Sequence, residues 1–375
     1  MSNVQKRTGA GWSLSLDIDG ASVPYQNVLG LTIRESVFDL LPRLRLTIKG
    51  FDVFVTSPPV KSGSIVTISA VNDENTQKST MNVRFEVMSA QADLADPNVK
   101  TAAILQIDGI LATDRKMLSL RSETYDMRFS KAVEKVANEC GLDYNVRIQS
   151  NDKMLWGCFN QSPLSFLNTA KRSSYIAKDE LPVLFCDKRG TLVYDGWKRA
   201  SKSDTVISFN SDVIGSVTPV GYDLGLTAKG KSVSMTNVPY YDWSYKDMQS
   251  YAGEFLGGFG VASTWVDGSG EVVAEKSGDP TSRLVRGVLP AGVHKNYYKA
   301  QAQNRRLSGE IFSNSVILTC GLYDIPVLSH VHIDIPEDTN GGKSQSLSGE
   351  YLIFQVMQVI NRDAANSLVC ATRIK

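Results

Sequence analysis

The feature that most constrains this chain is a set of short stretches with an apolar residue at every second position. Trp12, Leu14, Leu16 and Ile18 alternate with polar residues, as do Leu44, Leu46 and Ile48, and then Val83, Phe85 and Val87. Successive side chains on a strand point to opposite faces, so this period predicts strands with one buried face. Ile65 to Val71 and Ile104 to Leu111 are further strand candidates. Turn-forming stretches separate them: Asp19-Gly20, Ser57-Pro58-Pro59, Lys61-Ser62-Gly63 and Asp96-Pro97-Asn98. Several short strands with this punctuation predict a sandwich or barrel over residues 1–115.

The pattern then changes. Ser130 is a candidate N-cap for a helix with Ala132, Val133, Val136, Ala137 and Cys140 on one face, and Gly141 stands where a left-handed C-terminal cap is wanted. Ser162-Pro163 predicts a second helix start, with Leu164, Leu167 and Ala170 toward the core and Phe166 alongside. Pro182 to Tyr194 reads as a hairpin turning at Asp187 to Gly190. Residues 116–205 are therefore a mixed α+β unit.

A third region, 206–375, carries an aromatic-rich insertion at about 236–290. That insertion holds Tyr240, Tyr241, Trp243, Tyr245, Tyr251, Phe255, Phe259 and Trp265, followed by a glycine- and charge-rich loop, Asp267 to Asp279. A polar helix is predicted over His294 to Leu307. Strands follow at Ser315 to Gly321, Val331 to Ile335, Tyr351 to Ile360 and Leu368 to Ile374, with a polar loop from Pro336 to Ser346. The order β, mixed, β predicts two barrel-like domains flanking an insertion.

A chain of 375 residues exceeds the size at which single cores stop growing, about 250–300 residues, which agrees with several domains. Its 40 basic and 39 acidic residues nearly cancel, which argues against a dominant polyanion-binding role. The five cysteines are scattered and form no CxxC pair, so neither a disulfide framework nor a zinc knuckle is expected. Free thiols fit folding in a reducing compartment. The polar first residues hold no apolar signal core, and no run approaches the ~20 apolar residues of a membrane span.

Motifs of catalysis are absent. There is no GxxxxGK[ST] loop, no GxSxG elbow and no HExxH. The best metal candidate is His330, His332 and Asp334, which share one face of a strand. The same spacing arises by default on a solvated strand, and a closed site wants about four ligands. No cofactor is expected, and no catalytic residue is assigned. The Lys198-Arg199 and Lys202 group after Trp197 reads as a solvated turn, with phosphate contact as its alternative. The aromatic stretch reads as core, with a protein interface as the alternative.

Two stretches resemble a known family. Asn160-Gln-Ser-Pro-Leu-Ser-Phe-Leu-Asn168 with the hairpin from Val183 to Tyr194 is similar to the inserted domain of baseplate hub proteins of phage tails. His294-Lys-Asn-Tyr-Tyr-Lys-Ala300 with Asn304, Ser315 to Gly321, and Leu347 to Val356 resemble the helix and strands of that family's closing barrel. The family is related to the hub domains of type VI secretion spikes. The resemblance implies a mainly β, α+β fold with two tail-tube-like barrels and an inserted domain. It implies a non-enzymatic subunit of the virion tail baseplate, assembled in the host cytoplasm. It also implies a homotrimer with pseudo-six-fold symmetry that joins a six-fold tail tube to a three-fold spike. The implied partners are a tail tube or tube-initiator protein, a central spike or tip protein and baseplate wedge proteins, with passive contact to DNA in the channel. The sequence ends at Lys375 without a β-helix, so a piercing tip is expected on a separate protein. A tail-associated cell-wall hydrolase and a β-rich receptor or carbohydrate-binding tail protein are the alternative readings.

Overall fold

The computed structural model describes residues 6–7, 12–49, 60–72, 79–94, 103–202, 206–209, 214–220, 294, 296–312, 315–321, 324–334, 348–361 and 365–374, with short strands between 227 and 289. The first region holds β1 (Lys6–Arg7), β2 (Trp12–Ile18), β3 (Ala21–Val23), β4 (Val28–Ser36), β5 (Arg43–Lys49), β6 (Ile65–Asn72), β7 (Ser79–Leu94) and β8 (Ala103–Leu111). The alternating residues Leu14, Leu16, Ile18, Leu44, Leu46, Ile48, Val83, Phe85 and Val87 are all buried, as period 2 requires.

The middle region holds β9 (Arg121–Met127), α1 (Phe129–Glu139), β10 (Asp143–Val146), β11 (Met154–Gln161), α2 (Pro163–Ala170), β12 (Pro182–Cys186), β13 (Thr191–Gly196) and the single turn α3 (Trp197–Ala200). The hairpin turns where expected: Gly190 takes φ 88° and donates its amide to Asp187 O at 3.0 Å. Ser162 caps α2 through its hydroxyl, and Gly141 ends α1 at φ 65°. The expected cap on α1 is wrong. Ser130 lies inside the helix, and the free amides of its first turn are held from a distant loop. Phe129 N donates to Asp152 Oδ1 at 2.9 Å and Ser130 N to Ser150 Oγ at 2.9 Å. Asp152 is fully buried and also accepts from Tyr175 N, so one carboxylate fixes a helix start and a loop together.

The last region holds β14 (Val206–Phe209), β15 (Ile214–Val220), seven short strands β16 to β22 from Thr227 to Leu289, α4 (Tyr297–Phe312), β23 (Ser315–Gly321), β24 (His330–Ile333), β25 (Gly349–Asn361) and β26 (Ala365–Arg373). The helix expected over His294 to Leu307 begins later and runs on to Phe312, because Leu307 and Phe312 both reach the core. Of the aromatic insertion, only strand backbone such as β18 (Val238–Asp242) and β19 (Asp247–Tyr251) falls within the described residues. Trp243, Tyr245, Phe255, Phe259 and the Pro336–Ser346 loop lie outside them, as does the Asp267–Asp279 loop except for β21 (Val272–Ala274).

One sheet joins the two ends of the chain, in the order β1-β2-β6-β7-β8-β5-β4-β25-β26-β23-β15, with β24 beside β25 and β14 beside β24. It is built from two halves of one design. Counting the six main strands of each half along the chain, both halves have the spatial order first, fourth, fifth, sixth, third, second. In the first half this reads β2-β6-β7-β8-β5-β4, and in the second β14-β24-β25-β26-β23-β15. The register matches as well. The fifth strand slips against the sixth between Val87 and Ser89, and between Ile353 and Gln355. The second strand slips against the third between Val28 and Gly30, and between Ile214 and Ser216. The halves differ at the first strand: β2 runs antiparallel to β6, whereas β14 runs parallel to β24.

Each half curls, for a reason of chain length. β14 and β15 stand at opposite ends of their half, yet only residues 210–213 separate them. Five backbone steps span at most about 18 Å, so the two ends are drawn together. In the first half, β3 pairs with β2 and reaches β4 through residues 24–27. The middle region forms its own small layers, β10-β13-β12 and β11-β9, against α1 and α2.

Candidate functional site

The halves meet along β25, which changes partner midway. Its first residues, Gly349 to Leu352, pair with β24, and Gln355 to Asn361 pair with β4 of the other half. Phe354 sits at the change, and its carbonyl accepts from Val37 N at 3.0 Å. Its fully buried ring lies edge-on to Phe312 of α4 (centroids 5.1 Å apart) and to Phe38 (5.6 Å). Phe312 also meets Trp197 of the middle region at 5.1 Å. Each such pair contributes about 0.5–1.5 kcal/mol beyond the area it buries. Four separate parts of the chain thus share one aromatic cluster.

An ion triad with two buried members, Glu35 and Lys188, and a half-buried one, Asp324, lies at the same junction. Asp187 Oδ1 accepts from the amides of Arg189 and Thr191, which shapes the β12–β13 turn and projects Lys188. Lys188 donates its amide to Glu35 Oε1 at 3.0 Å, and its Nζ lies 3.4 Å from Glu35 Oε2 and 2.6 Å from Asp324 Oδ1. Arg189 adds a second cation on Asp324 at 3.0 Å. Glu35 is 3 % exposed and Lys188 7 %. Burial pushes the Glu35 carboxyl above its ordinary value, against the opposing pull of Lys188. Burial acts upward on Asp324 too, but Lys188 and Arg189 together outweigh it and hold that carboxyl below its ordinary value. Such a triad adds little net stability over an apolar equivalent, whereas removing one member leaves a buried charge exposed to no partner. The triad joins β4, the inserted hairpin and the segment before β24 that carries Asp324.

Helix α4 ties the inserted unit down from the other side. Asn304 Nδ2 donates to Arg172 O (3.1 Å) and Ser174 O (2.9 Å). Gln303 Nε2 donates to Ala177 O at 2.9 Å and its Oε1 accepts from Asp179 N at 3.3 Å. Just before the helix, buried His294 places Nε2 3.1 Å from Ser173 O, beside the rings of Trp156 and Tyr297. Burial lowers the affinity of this imidazole for a proton, and Asp152 opposes the shift.

The histidine candidates come together differently from the expected set. His330 and His332 lie on β24, and one carboxylate, Glu350 of β25, bridges them at 2.7 and 2.6 Å. Glu350 stands directly opposite His332 across the ladder, a proximity the linear spacing does not reveal. Among the described residues no group of three or more His, Cys, Asp or Glu is arranged to hold a metal ion. All five cysteines are buried and free. Arg199 makes two bonds to buried Asp195, at 2.6 and 2.9 Å.

Sequence reasoning missed Glu35, Lys188 and Asp324. The only signal was Glu35 standing on the alternate position that follows apolar Leu31 and Ile33; Lys188 in a turn reads as solvated. The arrangement as a whole is one of fixed interfaces, and no helix among the described residues is long and apolar enough to cross a membrane.

No family model and no curated protein matches the chain. Solved structures do. A tail protein from Neisseria meningitidis MC58 is similar over 97 % of this chain and 96 % of its own, with TM-score 0.54 and 12 % identity. The 43 kDa tail protein of prophage MuSo2 from Shewanella oneidensis is similar over 96 % of this chain and 98 % of its own, with TM-score 0.52 and 14 % identity. A component of the E. coli type VI secretion system, described as structurally similar to the bacteriophage T4 tail proteins gp27 and gp5, covers 96 % of this chain and 77 % of its own, with TM-score 0.50 and 12 % identity. End to end, the chain has the mainly β fold of phage tail proteins, a fold shared with a type VI secretion component.

Proposed function

We propose that the chain is a structural baseplate hub subunit of a phage tail. Three copies form a ring with pseudo-six-fold symmetry that joins the six-fold tail tube to a three-fold central spike. The observation that carries this reading is the register-matched duplication of the two halves. Two equivalent curled sheets per chain, taken three times, present six equivalent units to a six-fold partner and three to a three-fold one. On this reading residues 1–115 are the first tube-like barrel, 116–205 the inserted domain, and 206–375 the second barrel with its insertion at about 236–290. The partners are then the tube or tube-initiator protein above, a spike or tip protein below and wedge proteins outside, in the virion, with DNA passing through the channel. The work is geometric and needs no catalysis.

Mass measurement and electron microscopy of the purified chain test this directly. The expected result is a trimer with a central channel and six lobes. A monomer at every concentration, with neighbouring tail proteins present, overturns it. Cell-wall lysis on a zymogram, lost on changing one acidic pair, would establish a hydrolase instead.

A further inference from the structure

The contact between the halves inside one chain has a counterpart that no described residue of the chain fills. On β25, the fifth strand of the second half, the segment after the slip pairs with β4, the second strand of the first half. The matching segment of β7, the fifth strand of the first half, is Ser89 to Leu94. That segment pairs with β8 on one side, and β6 stops opposite Glu86. Among the described residues nothing pairs its other edge. The burial differs accordingly. Gln355, Val356 and Gln358 are buried beneath their partner, whereas the matching Ser89 and Ala92 are exposed and Ala90 is half-buried. The matching second strand, β15, ends the sheet and pairs only with β23 among the described residues.

We infer that the open edge of β7 in one protomer pairs with the open edge of β15 in the next, repeating between chains the junction that β25 and β4 make within one. This rests on the hub reading and names the strands that would build its ring. Each chain offers one edge of each kind on different halves, so the contact is head-to-tail and closes into a ring of alternating halves. Every junction, within or between chains, is then a fifth strand against a second strand.

The duplication also sets the register. Gln358 stands opposite Ile33, and Val359 opposite Thr32. Carried through the matched ladders, Ala92 stands opposite Pro219 and Asp93 opposite Thr218 of the neighbour. Pro219 fits this scheme. Val37 gives its amide to Phe354 O, so by strand alternation Ile33 also turns its amide toward β25. Pro219, in the matching place, lacks that amide on the outer edge, where proline is tolerated in a strand. It leaves a carbonyl to accept from Ala92 and weakens the edge toward indiscriminate partners.

The test uses the full-length double variant Asp93→Cys with Thr218→Cys, purified and mildly oxidised. The five native cysteines are buried and do not compete. The expected product is a covalently closed species of three chains, absent from either single variant. A trimer by mass with no cross-link overturns the strand pairing and leaves the hub reading standing. Uncross-linked monomers overturn both. A cross-linked ring of another size supports the edge pairing and overturns the three-subunit count. Should the double variant fail to fold, Ala92→Pro is the second probe, since it removes an amide from the open edge and leaves the β8 side intact. Its dissociation concentration should rise at least tenfold with the circular dichroism of the fold retained, and an unchanged value overturns the proposal.

Discussion

Gly63 and Leu328 occupy the same place in the two halves. Each precedes the fourth strand of its half, each has positive φ (89° and 63°), and each donates its amide to the fifth strand, Gly63 to Val87 O at 2.8 Å and Leu328 to Ile353 O at 2.9 Å. The residues that follow accept in the same way: Val87 N donates to Ser64 O and Ile353 N to Ser329 O. A leucine in the left-handed region is strained, and the duplication explains why the backbone holds it there. Leu328 is buried, so its side chain offsets the strain.

The two positions therefore respond differently to substitution. A Cβ on exposed Gly63 meets nothing within 4 Å, so Gly63→Ala costs only the backbone strain, about 1–2 kcal/mol. Leu328→Gly removes that strain but loses burial of about 1.5–3 kcal/mol, leaving a smaller net loss. Midpoints of urea unfolding for the two variants check this. A neutral Gly63→Ala would mean that the turn is not held at positive φ.

Removing Lys188 should leave the buried Glu35 carboxyl without its cation and Asp324 with Arg189 alone. Lys188→Met is expected to cost about 3–5 kcal/mol, and Lys188→Met with Glu35→Gln and Asp324→Asn to recover most of it. The pH dependence has a definite sign. Asp324 is held below its ordinary value, so its contribution is present above that value and is lost as pH falls through the lowered one. Asp324→Asn should flatten the acid limb of the stability curve below about pH 4.

Asn304 bridges two carbonyls of the inserted unit. Asn304→Ala should cost about 1–3 kcal/mol, since the buried Ser174 carbonyl loses its donor. Asn304→Asp should cost more, because it turns a carboxylate toward both carbonyls. Hydrogen exchange of residues 172–180 should rise in both variants, and protection at wild-type level would show that α4 does not hold this loop.

His294 is buried and resists protonation. Its contribution to stability is present above the ordinary histidine value of about 6.5 and is lost as pH falls below it, because the unfolded chain takes the proton first. Thermal unfolding between pH 7 and pH 5 should fall more steeply for the wild type than for His294→Gln. Parallel curves would show that this imidazole does not titrate with unfolding.

Much of the fold is legible in the residues themselves. Alternation at Leu14 to Ile18 and Leu44 to Ile48 reports strands because a half-buried strand permits little else. The Asp187 to Gly190 turn and the Ser162-Pro163 start are local chemistry, so they read correctly. The cap of α1 did not, because Asp152 and Ser150 reach it from another loop and Ser130 only looks like a cap. The histidine face was visible, but its carboxylate, Glu350, came from the neighbouring strand. Sequence alone thus determined the strands whose apolar residues alternate and the helices with local start signals, but not β4, β9, β11, β14 or β15, whose strand character the reading passed over. Tertiary structure decided that the outer regions are two copies of one design in matched register, and that β25 leaves its own half to pair with β4. Pairing, register and the burial of Glu35 and Lys188 depend on residues more than a hundred positions apart, and no local periodicity records them.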